Sequence, residues 1–328
     1  HSQRSTDMHR YTPEDFTPGL VAYGHPEHIY RSAPGLSSTQ IKTFTLKSPA
    51  HFHHELTSEP VARRQSDALL LGSMVHCLVL EPGQFDRRYP RAPRIKDYPQ
   101  ALQRAEELRD FCRNHNLKVG GSKEELTERI LKHHPDTLIW SQIVLNSEAR
   151  GQAFKGELID QARRMADSVL DHPQASRLLS QGEAEVSVWG EHPGSGELIK
   201  CRCDWLRKDC GLCIDLKTTD CASPAAFSRS ISKYGYHLQQ AHYLGTLNSA
   251  GIDCDAFIFI AVENEPPYVV QVYCLDPQSC EIAHNRWDDA MTRLHRCQSE
   301  DVWPAYTDET SLSLPAWMIR QLKEFDHE

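Results

Sequence analysis

Two short strand-like runs, residues 198–207 and 212–217, flank a turn around Gly211. They restrict the fold more than any other part of the chain. Side chains alternate between the faces of a strand, so Asp215 and Lys217 point the same way. If the two runs pair as a hairpin, Asp204 comes close to Asp215. Two carboxylates and an ammonium at one spot make a site for a hard divalent cation with a water beside it, the requirement for hydrolysing a phosphodiester. A surface hairpin of mixed charge would carry the same residue types, so the rest of the chain must decide between the two.

The surrounding pattern predicts a mixed sheet. Strands are expected at 184–190, 198–207, 212–217, 256–262 and 268–275, with helical sequence at about 222–233 and 236–250 between them. The N-terminal part reads as helices. An irregular arm rich in Pro, Gly and Tyr spans 11–35. Ser37, Ser38 and Thr39 cap a helix over 40–47, which Ser48 and Pro49 stop. A buried helix over 66–81 ends at Pro82 and Gly83, and a loop covers 84–99. Two amphipathic helices follow at about 101–115 and 122–133, the second opened by a Ser122/Glu125 capping box. Helices at about 149–171, 277–297 and 315–325 complete the list. There are no internal repeats. Helices, then a mixed sheet with a crossover, then helices predict one α/β domain, residues 1–328: a central mixed β-sheet flanked by helices, with a small helical insert at 100–135.

Bulk properties exclude several classes. A chain of 328 residues has ample material for a core. No apolar run approaches the ~20 residues that span a bilayer, and residues 1–10 lack the apolar centre of a secretory signal. A cytoplasmic location and no membrane partner are expected. The 11 cysteines are then free thiols. Cys201, Cys203, Cys210 and Cys213 invite a zinc reading, but the first pair has C-x-C spacing inside an expected strand. Only Cys297 lies near the C-terminus, where an iron–sulfur cluster would need three. The net charge of −9 means that nucleic-acid binding has to come from local basic clusters and bound cations.

Other residues with chemistry lie far from the hairpin. His76 falls four residues after Gly72 on the apolar helix, so both share one face; it is either a core histidine or a neutral imidazole ligand. Glu185 opens a strand, with Glu183 as its competitor. Gln239 and Tyr243, spaced i,i+4, share a helix face that could bind phosphate or orient a carboxylate; Gln240 and His242 fall elsewhere.

The order Gly-x-x-x-His, Glu, Asp, Asp-x-Lys, Gln-x-x-x-Tyr resembles the RecB-type branch of the PD-(D/E)xK nuclease superfamily. The phrasing is most similar to the RecE (exonuclease VIII) type of phage and prophage alkaline exonucleases. Ile-Asp-Leu-Lys-Thr-Thr at 214–219, Tyr-His-Leu-Gln at 236–239 and Leu-Ser-Leu-Pro-Ala-Trp at 312–317 carry that likeness. It covers about 36–80 and 184–320. Asp215 is a departure, since many members have Glu there.

The resemblance implies a restriction-endonuclease-like core. It implies that His76, Asp204, Asp215 and the carbonyl of Leu216 hold Mg²⁺ or Mn²⁺, with two ions per site. Lys217 would position or deprotonate the attacking water, Glu185 would act through the metal's waters, and Gln239 and Tyr243 would steady Lys217 or the phosphate. It further implies 5′-to-3′ exonuclease action on duplex DNA ends, an alkaline optimum, a homo-oligomeric ring (trimer favoured over tetramer) and a single-strand annealing protein of the RecT or Beta kind as partner. The insert resembles a SAP-like helix–turn–helix, in which Arg113, Lys118, Lys123 and Arg129 could meet phosphates; a lid or interface hairpin is the alternative. The helix start at Ser38 and Thr39, with Lys42 behind it, is a candidate phosphate holder. A structure-specific endonuclease and a non-catalytic DNA-binding scaffold of the same fold remain the competing functions.

Overall fold

A computed structural model describes residues 12–58, 66–149, 153–306, 313–314 and 318–320. The arm is more ordered than its composition suggests: β1 (Val21–Ala22), α1 (Glu27–Ser32) and β2 (Leu36–Ser37) lie within it. α2 (Ser38–Leu46) is followed directly by α3 (Pro49–Thr57). Ser48 and Pro49 do stop α2, but they also start α3: the Ser48 hydroxyl accepts from the His51 N–H, and Pro49 occupies the first turn, where its missing N–H is harmless. Next come α4 (Asp67–Leu80), the single turn α5 (Phe85–Arg88), α6 (Ala105–Asn114), α7 (Lys123–His133), α8 (Trp140–Ala149), α9 (Gly156–Asp171) and α10 (Pro173–Leu179). The expected helix at 149–171 therefore begins later, at Gly156, and Pro173 opens a further helix.

The second half holds β3 (Glu183–Glu191), β4 (Leu198–Arg207), β5 (Leu212–Thr219), α11 (Pro224–Tyr234), α12 (Tyr236–Ser249), β6 (Ala256–Glu263), β7 (Val270–Tyr273) and α13 (Pro277–Glu300). The helix expected at 315–325 lies largely outside the described residues, of which 318–320 are helical; so does most of the 312–317 stretch.

The seven strands form one mixed sheet in the order β1-β3-β4-β5-β6-β7, with β2 added in parallel beside β4. β3, β4 and β5 run antiparallel, β6 lies parallel to β5, and β7 turns back antiparallel on β6. The α11–α12 crossover makes the parallel step possible. On one face, α4 and α9 bury Met74, Val75, Met165 and Val169 against Ile214, Leu216, Ile260 and Val262. On the other, α11 and α12 cover Val186, Val188, Phe257 and Phe259. α12 is buried nearly all round because α2 and α13 pack behind it, through Ile41, Phe44, Trp287 and Met291. α6 and α7 enclose a small core of their own (Leu108, Cys112, Leu126, Ile130 and Ile139). No helix among the described residues is long and apolar enough to cross a membrane.

Two ladders of this sheet differ in a way that shapes the cleft. β5 and β6 pair over eight unbroken rungs, Leu212↔Ala256 to Thr219↔Glu263. β4 and β5 pair only over Trp205↔Ile214, Leu206↔Cys213 and Arg207↔Leu212, then diverge. Past the fork, β2 takes the vacated edge of β4 at Ile199 and Lys200. In the β3–β4 ladder, Ala184 and Trp205 pack toward α4, whereas Val186 and Cys203, one residue further along each strand beyond the next rung, pack toward α12. Regular alternation would put both pairs on the same face. The alternation reverses between these rungs, where Glu185 and Asp204 drop out of the ladder and Glu185 has a left-handed φ of 53°.

Candidate active site

Asp204 sits at this fork. Its Oδ2 accepts the Leu216 N–H at 2.8 Å, a backbone donor that the divergence of β4 and β5 leaves without a ladder partner. The same oxygen lies 3.5 Å from His76 Nδ1. α4 delivers His76 because Gly72, one turn earlier, lets the helix approach β5: a Cβ there would stand 3.2 Å from the Thr218 hydroxyl. The Leu216 backbone also borders the His76 ring. One ligand atom each from His76, Glu185 and Asp204 lie within 4.8 Å of one another. Glu183 is exposed at the strand start, so Glu185 is the acid that joins this group.

Glu185 is held from behind. Arg202 Nε donates to its Oε2 at 2.5 Å, and the same guanidinium donates to the Ser187 hydroxyl at 3.0 Å and the His25 carbonyl at 2.7 Å. Asp215 occupies the other flank, apart from the trio of atoms. It is 1% exposed; Gln239 Nε2 donates to its Oδ1 at 2.7 Å, and Lys217 Nζ stands 2.5 Å from Oδ2. Lys217 lies over the Tyr236 ring at 4.8 Å, and Lys42 faces the same ring at 6.0 Å.

The electrostatics follow from crowding. Burial, then the neighbouring Asp215 carboxylate, push Asp204 well above the ordinary carboxylate range. Burial likewise raises Glu185 against the pull of Arg202. Burial disfavours a charged Lys217, but Asp215 and Asp204 outweigh it and raise the ammonium's pKa. Burial and the Lys217 charge lower His76 to about 4, leaving a neutral imidazole. Burial, with Lys217 again, lowers Lys42 to about 8. Burial raises Tyr243 well above its ordinary value, so its phenol stays protonated in the field of Asp215 and Asp204.

These residues fit a hard divalent cation. Carboxylates crowded into a poorly solvated site are relieved by positive charge. Among the described residues, the buried Asp215 Oδ2 has Lys217 as its partner, in an ion pair. A set of oxygens with one imidazole suits Mg²⁺ or Mn²⁺. The cysteines form no such group: Cys201, Cys203 and Cys213 are buried free thiols, Cys210 is exposed, and the trio above is the metal-ligand cluster found among the described residues.

The remaining expected residues scatter. Tyr243, Ser38 and Thr39 line the same cleft as His76, Glu185, Asp204 and Lys217, while no residue of α6 or α7 does. Arg113 is paired with Asp110, Arg129 donates to the carbonyls of Lys118 and Gly120, and Lys118 and Lys123 belong to that separate hairpin. Gln240 donates to Cys280 on α13, and His242 bridges the Lys200 carbonyl and the Trp287 indole, so both are structural. Arg202 and Tyr236 escaped the sequence reading. Arg202 sits two residues before Asp204, and Tyr236 one helical turn before Gln239; those spacings were the available signals.

The family model of the PDDEXK-like domain of unknown function (DUF3799) matches residues 37–313, and the chain belongs to that family, within the PD-(D/E)xK nuclease superfamily. Among solved structures, a candidate exonuclease from Eubacterium rectale is similar at 15% identity and a TM-score of 0.52, over 90% of this chain and 94% of that one. A phage-related exonuclease from Haemophilus somnus 129PT is similar at 14% identity and a TM-score of 0.27, over 63% of this chain and 100% of that one. At these identities the first likeness is one of fold. No curated protein matches the chain.

Proposed function

We propose that the protein is a divalent-cation-dependent exodeoxyribonuclease that degrades one strand of linear duplex DNA 5′-to-3′, leaving 3′ single-stranded tails for homologous recombination. The observation that carries the reading is the convergence of His76, Glu185 and Asp204 within 4.8 Å in an open cleft that Lys217 also lines, with Lys217 paired to the buried Asp215 behind it. The family and the exonuclease name of the Eubacterium rectale neighbour support it.

His76, Glu185, Asp204 and Asp215, with the Leu216 carbonyl alongside, would hold Mg²⁺ or Mn²⁺. A pair of such ions would supply Lewis-acid neutralisation of the charge that builds on phosphate and leaving oxygen. The chain's own groups do the rest. Gln239 fixes Asp215 so that its second oxygen faces Lys217. Lys217, held as an ammonium, donates to a phosphate oxygen or to the attacking water, which it orients in line with the leaving oxygen. Tyr243, a protonated phenol, is a further donor to the phosphate. Arg202 keeps one Glu185 oxygen occupied and leaves the other for the site. By the same resemblance, the active form is a ring of copies, trimer ahead of tetramer, working with a single-strand annealing protein; sedimentation velocity tests the ring.

The deciding experiment digests linear duplex DNA labelled at one end type at a time, with Mg²⁺, Mn²⁺ or EDTA, and with a covalently closed circle as control. Metal-dependent release from 5′ ends with the circle intact is the expected result. Cutting of the circle would replace the proposal with an endonuclease, and no cleavage with any metal would leave a DNA-binding scaffold.

A further inference from the structure

α11 is amphipathic about the cleft. Phe227 and Ile231 face the sheet, whereas Arg229, Ser230, Lys233 and Tyr234 line the same cleft as Lys217. Arg229 and Lys233 are one turn apart on one face. Both are exposed, and among the described residues neither has a carboxylate at ion-pair distance. Of the other cations lining the cleft, Arg31 is paired with Glu27 and Arg88 with Glu81. Tyr234 is 47% exposed, and Lys233 Nζ lies over its ring, 5.0 Å from the centroid. Its ring centroid is 5.7 Å from that of Tyr236, which in turn lies beneath Lys217 at 4.8 Å. Gly235, with φ +65°, makes the corner that keeps the two tyrosines side by side; a Cβ there would meet Leu46 at 2.8 Å.

We propose that this face of α11 is a rail for an unpaired DNA strand: Arg229 and Lys233 take phosphates, and Tyr234 stacks on a base next to the scissile phosphate. The inference rests on the nuclease reading and adds the state of the strand at the site. Unneutralised cations track a phosphate backbone without regard to sequence, and an exposed aromatic ring accepts any base face, but only one not already stacked in a duplex. The rail therefore prefers a frayed or displaced strand to intact duplex.

The test measures binding in EDTA by fluorescence anisotropy. The probes are a fluorescein-labelled oligothymidylate and a duplex closed at both ends by hairpin loops. Tyr234→Ala should weaken oligothymidylate binding about tenfold and leave the closed duplex unchanged, while Tyr234→Phe keeps the affinity of the parent. Arg229→Gln with Lys233→Gln should lower the slope of log affinity against log salt by about 1.4 on the single strand, two phosphates at about 0.7 each. A Tyr234→Ala variant that binds oligothymidylate within twofold of the parent, or that loses closed-duplex binding equally, overturns the rail. A parent that cuts no DNA while Tyr234→Ala still loses single-strand affinity removes the proposed function and keeps the rail. A parent that cuts DNA and a Tyr234→Ala variant with unchanged binding removes the rail alone.

Discussion

The β5–β6 ladder and the β3–β4 ladder each supply half of the site, by opposite means. β5–β6 is regular over eight rungs, and regularity alone puts Asp215 and Lys217 on one face, toward α12. β3–β4 breaks its alternation where Glu185 and Asp204 leave the ladder, and that break brings both beside His76 of α4. A left-handed φ on a non-glycine residue costs about 1–2 kcal/mol. It persists here because Arg202 ties Glu185 to Ser187 and to the arm at His25. Strain of this kind gathers where chemistry needs side chains that a regular lattice would send to opposite faces.

The largest effects should come from removing one charge from each half. Asp204→Asn and Lys217→Ala are each expected to lower the rate of metal-dependent cleavage by about 10²–10³-fold, the usual loss on removing one group that stabilises developing charge. Release of labelled nucleotide under single-turnover conditions measures it. An unchanged rate in Lys217→Ala would confine the chemistry to the broken rung.

Damage to packing in the regular ladder should separate stability from cation binding. Ile260 is fully buried, one rung across from Leu216. Ile260→Ala should cost about 2–5 kcal/mol in urea unfolding, while leaving the affinity for Mn²⁺ within a fewfold of the parent.

Conversely, Mn²⁺ at about a hundredfold its Kd should stabilise the parent by about 2.7 kcal/mol. That gain should vanish in His76→Ala and Asp204→Asn and survive in Ile260→Ala. Melting with and without EDTA reads it; a gain retained in Asp204→Asn would place the cation elsewhere.

The smallest effect concerns the seam beyond the fork. Burial lowers His242 to about 4 from an ordinary 6.5, and its neutral ring bridges the Lys200 carbonyl and Trp287. Below pH 6.5 the unfolded chain binds a proton at this ring that the folded protein refuses, so the contribution of His242 to stability should fall from pH 6.5 toward 4, against the opposite contribution of the raised Asp204 and Glu185. His76, also lowered to about 4, adds to the same slope. His242→Gln should cost about 1–3 kcal/mol at neutral pH through its broken hydrogen bonds and flatten part of that slope. Denaturant unfolding of the parent and the variant across this range checks both; a slope identical in the two would show that His242 does not carry it.

Much of this was legible in the residues. The five strands, the mixed sheet and the buried helix carrying Gly72 and His76 follow from periodicity, and Asp-x-Lys needs only alternation. The arm was not legible: β1 and β2 are two residues each, too short for a period to show, and exist because β3 and the forked β4 offer free edges. Ser48 and Pro49 signal an end in the sequence, although the same pair also begins a helix. The expected ligand set joined Asp215 to His76 and Asp204, whereas the structure groups His76 and Asp204 with Glu185 and turns Asp215 to Gln239 and Lys217.

The sequence by itself determined the local facts: which segments alternate, which helices have an apolar side, and that Asp215 and Lys217 share a face. Only the tertiary structure decided that Glu185 and Asp204 meet His76, that Arg202 braces them, and that α11 turns unneutralised cations and a tyrosine into the cleft. The reason is physical. Alternation is set by neighbours along the chain, but its reversal depends on the register of β3 with β4 and on the half-buried Arg202 guanidinium tied to the arm, and no stretch of local sequence encodes those contacts.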